Sequence, residues 1–156
     1  MSEEILASGL TRRGLFLAGV AAFGTVAMVA PAHASDEAED AAALIRRLTG
    51  KTPVESDRLH LVMPKTFPNG YTVPLNLDIN SPMTDTDFVR YVRVVAPRNP
   101  LIEVATFQFV AKRSQPRVST RIRLAAPQFV VAFAELSDGT LVMTKTWVDV
   151  ATNGCS

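Results

Sequence analysis

The sequence predicts a mainly β fold: an immunoglobulin-like antiparallel β-sandwich of about seven short strands, with one short N-terminal helix and a flexible C-terminal arm. Three observations support this prediction. Apolar residues alternate with mostly polar ones in several stretches beyond Gly50. Turn-forming Asn, Pro, Ser and Gly separate these stretches at short intervals. After Gly50 no helical pattern is long enough to connect parallel strands.

Residues 1–34 have the pattern of an export signal. Arg12 and Arg13 precede an apolar run at 18–30, and Ala32 and Ala34 provide the small residues that a signal peptidase selects. Paired arginines at this place are typical of the twin-arginine route, so we expect export to the periplasm and cleavage after Ala34. The apolar run is short and rich in Ala and Gly, which disfavours the alternative of a permanent membrane span.

Residues 35–150 form the predicted globular domain. Acidic residues precede an apolar helical stretch at 41–48, and Gly50 ends it. Strand-like stretches follow at 59–63, 71–79, 88–95, 102–110, 117–124, 129–135 and 140–150. Pro74 lies inside the second of these stretches and predicts an edge strand, because proline cannot donate a backbone hydrogen bond.

Composition and motifs exclude several classes of function. The net charge of +1 gives no basic excess that would indicate a nucleic-acid partner. The single cysteine excludes an internal disulfide framework. His60 is the one histidine beyond the signal, and we interpret it as a strand surface residue rather than a metal ligand. The sequence therefore predicts no metal site, no cofactor and no catalytic residue set.

Three arginines fall on one face of a predicted strand. Arg117, Arg121 and Arg123 share that face with Ser119, because side chains alternate along a strand. One interpretation is a solvated outer face. The other is a cationic surface that meets a protein partner or an anionic group, for which arginine is well suited.

Residues 151–156 form the predicted arm, and Cys155 is its next-to-last residue. Asn153 and Gly154 tolerate unusual backbone angles, so we expect an exposed and mobile segment. An exposed thiol in an exported protein is readily oxidised, which favours a chemical use for it.

Several blocks of the sequence resemble the SoxY family, the sulfur-carrier subunit of periplasmic thiosulfate oxidation. Together with the leader and the terminal cysteine, the resemblance is densest at 73–75, 80–84, 99–107, 118–125 and 134–139. It implies a covalent carrier rather than an enzyme, with Cys155 as the attachment point for the sulfur substrate. It also implies a heterodimer with a SoxZ-like subunit and transient contacts with SoxAX-like and SoxB-like enzymes.

The end of the chain departs from the family pattern. The usual arm ends Gly-Gly-Cys-Gly-Gly, whereas here Asn153 and Gly154 precede Cys155, and Ser156 follows it. We therefore expect a terminal carboxylate close to the sulfur, where its charge would disfavour a thiolate and repel anionic substrate.

Two other classes of protein remain open at this point. In the first, the sandwich is an exported assembly or binding module, and Cys155 forms an intermolecular disulfide. In the second, the protein is a thiol-dependent enzyme, which needs a base or a second thiol near Cys155. The absence of a second cysteine argues against the enzyme.

Overall fold

In the computed structural model, which describes residues 33–151, two β-sheets pack face to face and one helix covers part of the larger sheet. This confirms the mainly β sandwich with a single N-terminal helix. The predictions for residues 1–32 and for arm residues 152–156, including Cys155, lie outside the described residues. Within residues 33–151 no helix has the length and apolar character needed to cross a bilayer.

The described part of the chain contains one helix followed by nine strands. In chain order these are α1 His33–Thr49, β1 Val54–Glu55, β2 Leu59–Val62, β3 Thr66–Phe67, β4 Val73–Ile79, β5 Val89–Val95, β6 Glu103–Gln108, β7 Arg117–Ile122, β8 Gln128–Leu136 and β9 Leu141–Val150.

The larger sheet has the strand order β1-β9-β8-β5-β6, and β3 also pairs with β9. The smaller sheet has the order β2-β4-β7. The longer strands pair antiparallel, as predicted, whereas the two-residue strands β1 and β3 pair parallel with β9. Since β2 belongs to the smaller sheet, the segment from β1 to β3 crosses between the sheets and back along one side of the sandwich.

Alternating side chains of both sheets form the main core. In β4 every second residue, from Val73 to Ile79, is buried, and the residues between them are less buried. Val92, Val94, Ala132 and other small apolar residues of the larger sheet face them. This period of two is what predicted the strands, because one face of each strand is removed from water.

Helix α1 lies against the outer face of the larger sheet. Ala41, Leu44 and Ile45 pack with Val131 and Phe133 in a second apolar cluster. The helix ends in the way the sequence predicted: the Gly50 N–H donates to the Arg46 carbonyl at 2.8 Å, and Gly50 adopts φ 72°. Glycine takes this left-handed conformation without the steric cost that other residues have.

The half-buried carboxylate of Glu135, on β8, binds the residues that follow the helix to the larger sheet. Lys51 Nζ lies 3.1 Å from Glu135 Oε2, and the Tyr91 hydroxyl donates to the same oxygen at 2.9 Å. Burial alone would raise the pKa of Glu135, but the hydrogen bonds from Lys51 and Tyr91 and the charges of Lys51 and Arg90 hold this pKa below its ordinary value. The carboxylate is therefore ionised at neutral pH.

The prediction that Pro74 marks an edge strand was wrong. Its strand, β4, is the central strand of the smaller sheet. β2 pairs with β4 only from Ile79 back to Asn76, so Pro74 lies beyond the end of β2 and pairs on one side only, with Arg121 of β7. A missing backbone donor is tolerated there because β2 does not extend to Pro74.

Candidate functional site at the arm end of the sandwich

The last strand holds the chain in place up to the residue before the predicted arm segment. β8 pairs with β9 along one side, and β3 pairs with Asp149 and Val150 along the other. The Asp149 N–H donates to the Lys65 carbonyl at 2.8 Å, and the Ala151 N–H donates to the Phe67 carbonyl at 3.2 Å. Strand β3 thus fixes the backbone of Ala151, the last residue that the structure describes. We call this end of the sandwich, formed by 65–72, 96–102, 123–127 and 149–151, the arm end.

Two buried polar side chains organise the loops of the arm end. Gln128 is 1% exposed and Asn99 is 8% exposed, and their side chains bond to each other through Gln128 Nε2 and Asn99 Oδ1 at 3.0 Å. Gln128 Oε1 also accepts the backbone N–H of Arg98 at 2.8 Å, and Nε2 donates to the Ala126 carbonyl at 3.1 Å.

Asn99 extends the same network to the next loop. Its Nδ2 donates to the Arg123 carbonyl at 2.8 Å, and its Oδ1 accepts the Ala125 N–H at 2.8 Å. Neither buried amide is left without partners, which avoids the free-energy cost of an unsatisfied polar group. The network joins the β5–β6 turn to the β7–β8 connection and so fixes the backbones that carry Arg98 and Arg123.

The surface of the arm end is more cationic than anionic. Lys65, Arg98 and Arg123 are exposed there, with the exposed acid Asp149 beside them. Arg98 is held by a bond from Nη1 to the Pro127 carbonyl at 2.8 Å, and its guanidinium lies 5.9 Å from the ring centroid of Trp147. Positive charge at this position favours anions near the start of the arm segment.

The three arginines of the predicted face are exposed, and their surroundings differ, while their contact with a partner or an anion stays a prediction. Arg117 and Arg121 are exposed along β7, and Arg123 follows the strand. Arg117 pairs with Asp78 of β4, with Nη2 2.7 Å from Oδ2. Arg121 lies opposite Pro74, and within the described part of the chain Arg121 and Arg123 form no ion pair. Asp78 therefore neutralises the positive charge of this face only at its Arg117 end.

The described residues place His60 at the surface and contain no cluster that could bind a metal ion. His60 is exposed and lies opposite Asp78 in the β2–β4 pair. Within residues 33–151 no three His, Cys, Asp or Glu residues lie close enough together to hold a metal ion. The structure describes neither Asn153, Gly154 nor Cys155, so their predicted roles stay predictions.

Sequence reasoning missed Asn99 and Gln128. Asn99 lies in the β5–β6 turn before Pro100, and Gln128 is the first residue of β8, after Pro127; in each case the proline predicted only a turn. Apart from the Ala126 carbonyl, two residues before Gln128, their partners are 24 to 30 residues away in the chain, so no local pattern marks them.

A family model described as "Sulfur oxidation protein SoxY" matches residues 45–155. The chain belongs to the SoxY family. The matched region covers the helix from Ile45, all nine strands and the segment that carries Cys155. The resemblance that the sequence blocks indicated is thereby confirmed.

A solved structure in the same family is similar over most of the domain. It is the sulfur carrier protein SoxY from Chlorobium limicola f. thiosulfatophilum, with 25% sequence identity and a TM-score of 0.57. The alignment covers 75% of this SoxY-family chain and 98% of the Chlorobium chain. A comparison with curated protein sequences found no match.

Superoxide reductases have a similar fold. A superoxide reductase (neelaredoxin) from Ignicoccus hospitalis gives a TM-score of 0.53 at 11% identity, covering 59% of this chain and 79% of that chain. A putative superoxide reductase from Thermotoga maritima gives 0.52 at 16% identity, covering 59% and 84%. At such identities the likeness concerns the sandwich fold alone.

Proposed function

We propose that this SoxY-family protein is a periplasmic sulfur carrier of thiosulfate oxidation that holds its cargo on Cys155. The observation that carries the proposal is the family match, which extends through the domain to residue 155. The anchoring of Ala151 by β3 supports it, because a carrier needs a fixed domain immediately before the cysteine-bearing segment.

The loading step that we propose forms one sulfur–sulfur bond. The Cys155 sulfur bonds to the terminal sulfur of thiosulfate, one proton leaves the thiol, and two electrons pass to a haem-containing SoxAX-like enzyme. Hydrolysis by a SoxB-like enzyme then adds water across the bond to the sulfonate, which releases sulfate and leaves a persulfide on Cys155. The carrier supplies the attachment atom, and the partner enzymes supply the catalysis.

The charges of the arm end suit an anionic cargo. Thiosulfate and the thiosulfonate adduct are anions, and the exposed cations of the arm end, Lys65, Arg98 and Arg123, outnumber its one exposed acid, Asp149. Tethering also keeps the reactive intermediates at a high effective concentration beside each partner enzyme.

The proposal also assigns the cellular location of the protein, its partner subunit and the roles of residues 153–155. Residues 1–34 direct export by the twin-arginine route, and a SoxZ-like subunit forms a heterodimer with the domain. Cys155 is then the substrate-attachment residue, and Asn153 and Gly154 give the segment its freedom of movement.

A single substitution tests this function. Cys155→Ser should abolish thiosulfate-dependent growth in a strain without another carrier gene, while the folded amount of protein stays unchanged. Ser156→Ala is the matched control and should leave growth intact, because it removes a hydroxyl next to the attachment atom but not the thiol. Full growth of the Cys155→Ser strain would refute the carrier function.

A further inference from the structure

One side of the sandwich is closed by the chain itself, and the opposite side is open. On the closed side, β1 and β3 cover the β9 edge of the larger sheet, and β2 between them forms the edge of the smaller sheet. On the open side, β6 ends the larger sheet and β7 ends the smaller one. Each of these two strands has one strand neighbour among residues 33–151, so alternate backbone N–H and C=O groups lack a sheet partner.

A groove of about 530 Å³ lies between these two edges. Val104, Phe107 and other residues of β6 line one wall, including Glu103, which pairs with Arg93 at 3.6 Å. Thr120 and Ile122 of β7 line the other wall, with the exposed Arg121 and Arg123 on its outer side. Val104 and Phe107 pack against the main core but are only partly buried. Leu101, at the end of the groove, is 81% exposed. Open sheet edges with adjacent apolar side chains are sites where a further strand can be added.

We propose that β7 accepts an extended strand from a second, different polypeptide, whose side chains are alternately apolar and acidic. The apolar side chains of the added strand fill the groove between β7 and β6. The acidic ones lie on the outer face beside Arg121 and Arg123, where cross-strand neighbours come within about 5 Å of each other. The inference deepens the partner assignment of the proposed function, on which it rests.

Charge decides between a different chain and a second copy of this one. The residue opposite Arg121 on the neighbouring strand β4 is Pro74, so β4 provides no acid directly opposite Arg121. On its other side, β7 has no neighbouring strand among the described residues. β7 and its flanking residues, 113–124, contain no acid, so no two-fold pairing of β7 with β7 of a second copy sets an acid opposite Arg121, and the pairing centred on Ser119 would set Arg117 opposite it. Like charges opposite each other destabilise a strand pair. The edge therefore fits an acidic strand of another protein.

The test uses the full processed protein co-expressed with the SoxZ-like subunit of its own organism, in a Cys155→Ser background so that cargo plays no part. Arg121→Glu should weaken the association at least about tenfold, since it sets an acid against the acidic strand. Leu101→Asp should act in the same direction. The matched controls, Arg46→Glu on the helix and Val62→Asp on β2, should bind as the wild type does; Val62 is 61% exposed.

Amide hydrogen exchange provides a second readout that does not depend on any variant. On complex formation, protection should increase in β6 and β7 and stay unchanged in β2.

Unchanged affinity of Arg121→Glu and Leu101→Asp, with protection appearing elsewhere, would overturn the edge assignment while leaving the carrier function standing. Self-association of the protein alone that Arg121→Glu abolishes would overturn the choice of a different chain. No association of the wild type with the SoxZ-like subunit would overturn the partner assignment, whereas growth of the Cys155→Ser strain bears on the carrier function alone.

Discussion

Replacing Gln128 with leucine removes the centre of the polar network at the arm end. The change deletes three hydrogen bonds: to the Arg98 N–H, to Asn99 Oδ1 and to the Ala126 carbonyl. Each such bond contributes about 1 kcal/mol net, and leucine keeps roughly the volume of glutamine, so the added cavity cost is small. We expect the free energy of unfolding to fall by about 3 kcal/mol.

Urea unfolding measures this loss directly. The transition midpoint of Gln128→Leu should fall by roughly 1 to 3 M with an unchanged slope, because the surface exposed on unfolding stays the same. Gln108→Leu is the matched control, since Gln108 is exposed on β6, and it should change stability by less than about 0.5 kcal/mol. If Gln128→Leu unfolds at the wild-type urea concentration, the network does not stabilise the arm end and this reasoning fails.

Three further changes test other parts of the molecule. Ile122→Asp should abolish soluble expression, because it places an unpaired charge at a site that is 6% exposed, whereas Arg121→Ala should express and unfold as the wild type does. Glu135→Gln should lower the free energy of unfolding by about 1 kcal/mol at pH 7. Because the pKa of Glu135 is lowered in the folded state from 4.5, its stabilising contribution is present above pH 4.5 and is lost as the pH falls through the folded pKa. A difference in melting temperature between the two proteins that stayed constant down to the lowest pH would contradict the ion-pair account. Lysines in place of Arg12 and Arg13 should leave unprocessed precursor in the cytoplasm, as cell fractionation would show, and normal periplasmic yield would refute the twin-arginine assignment.

Strands β4 and β7 were predictable because each buries one face, whereas β8 buries both, one in the main core and the other under the helix. In β4 and β7 the alternation of apolar and polar residues is clear in the sequence, and the structure places their residues on the expected faces. The short strands β1 and β3 were not predictable, because two residues are too few to show a period. Their parallel pairing with β9 arises from the tertiary fold.

The candidate site was predictable only in part. The alternation of β7 predicted the arginine face, yet the ion pair of Arg117 with Asp78 depends on which strand lies beside β7. Likewise, Pro74 indicated an edge because a sequence does not show where a neighbouring strand ends. The bonds of Asn99 and Gln128 join distant loops, so they follow from the assembled sandwich and not from any local motif.

The most direct test of the carrier function is intact-mass and peptide mass spectrometry of the protein isolated from cells that are oxidising thiosulfate. We expect adducts of thiosulfonate or persulfide sulfur confined to the C-terminal peptide that contains Cys155, and we expect a reductant to remove them. Absence of these adducts during active oxidation, or a stable disulfide from Cys155 to another protein in their place, would contradict the account.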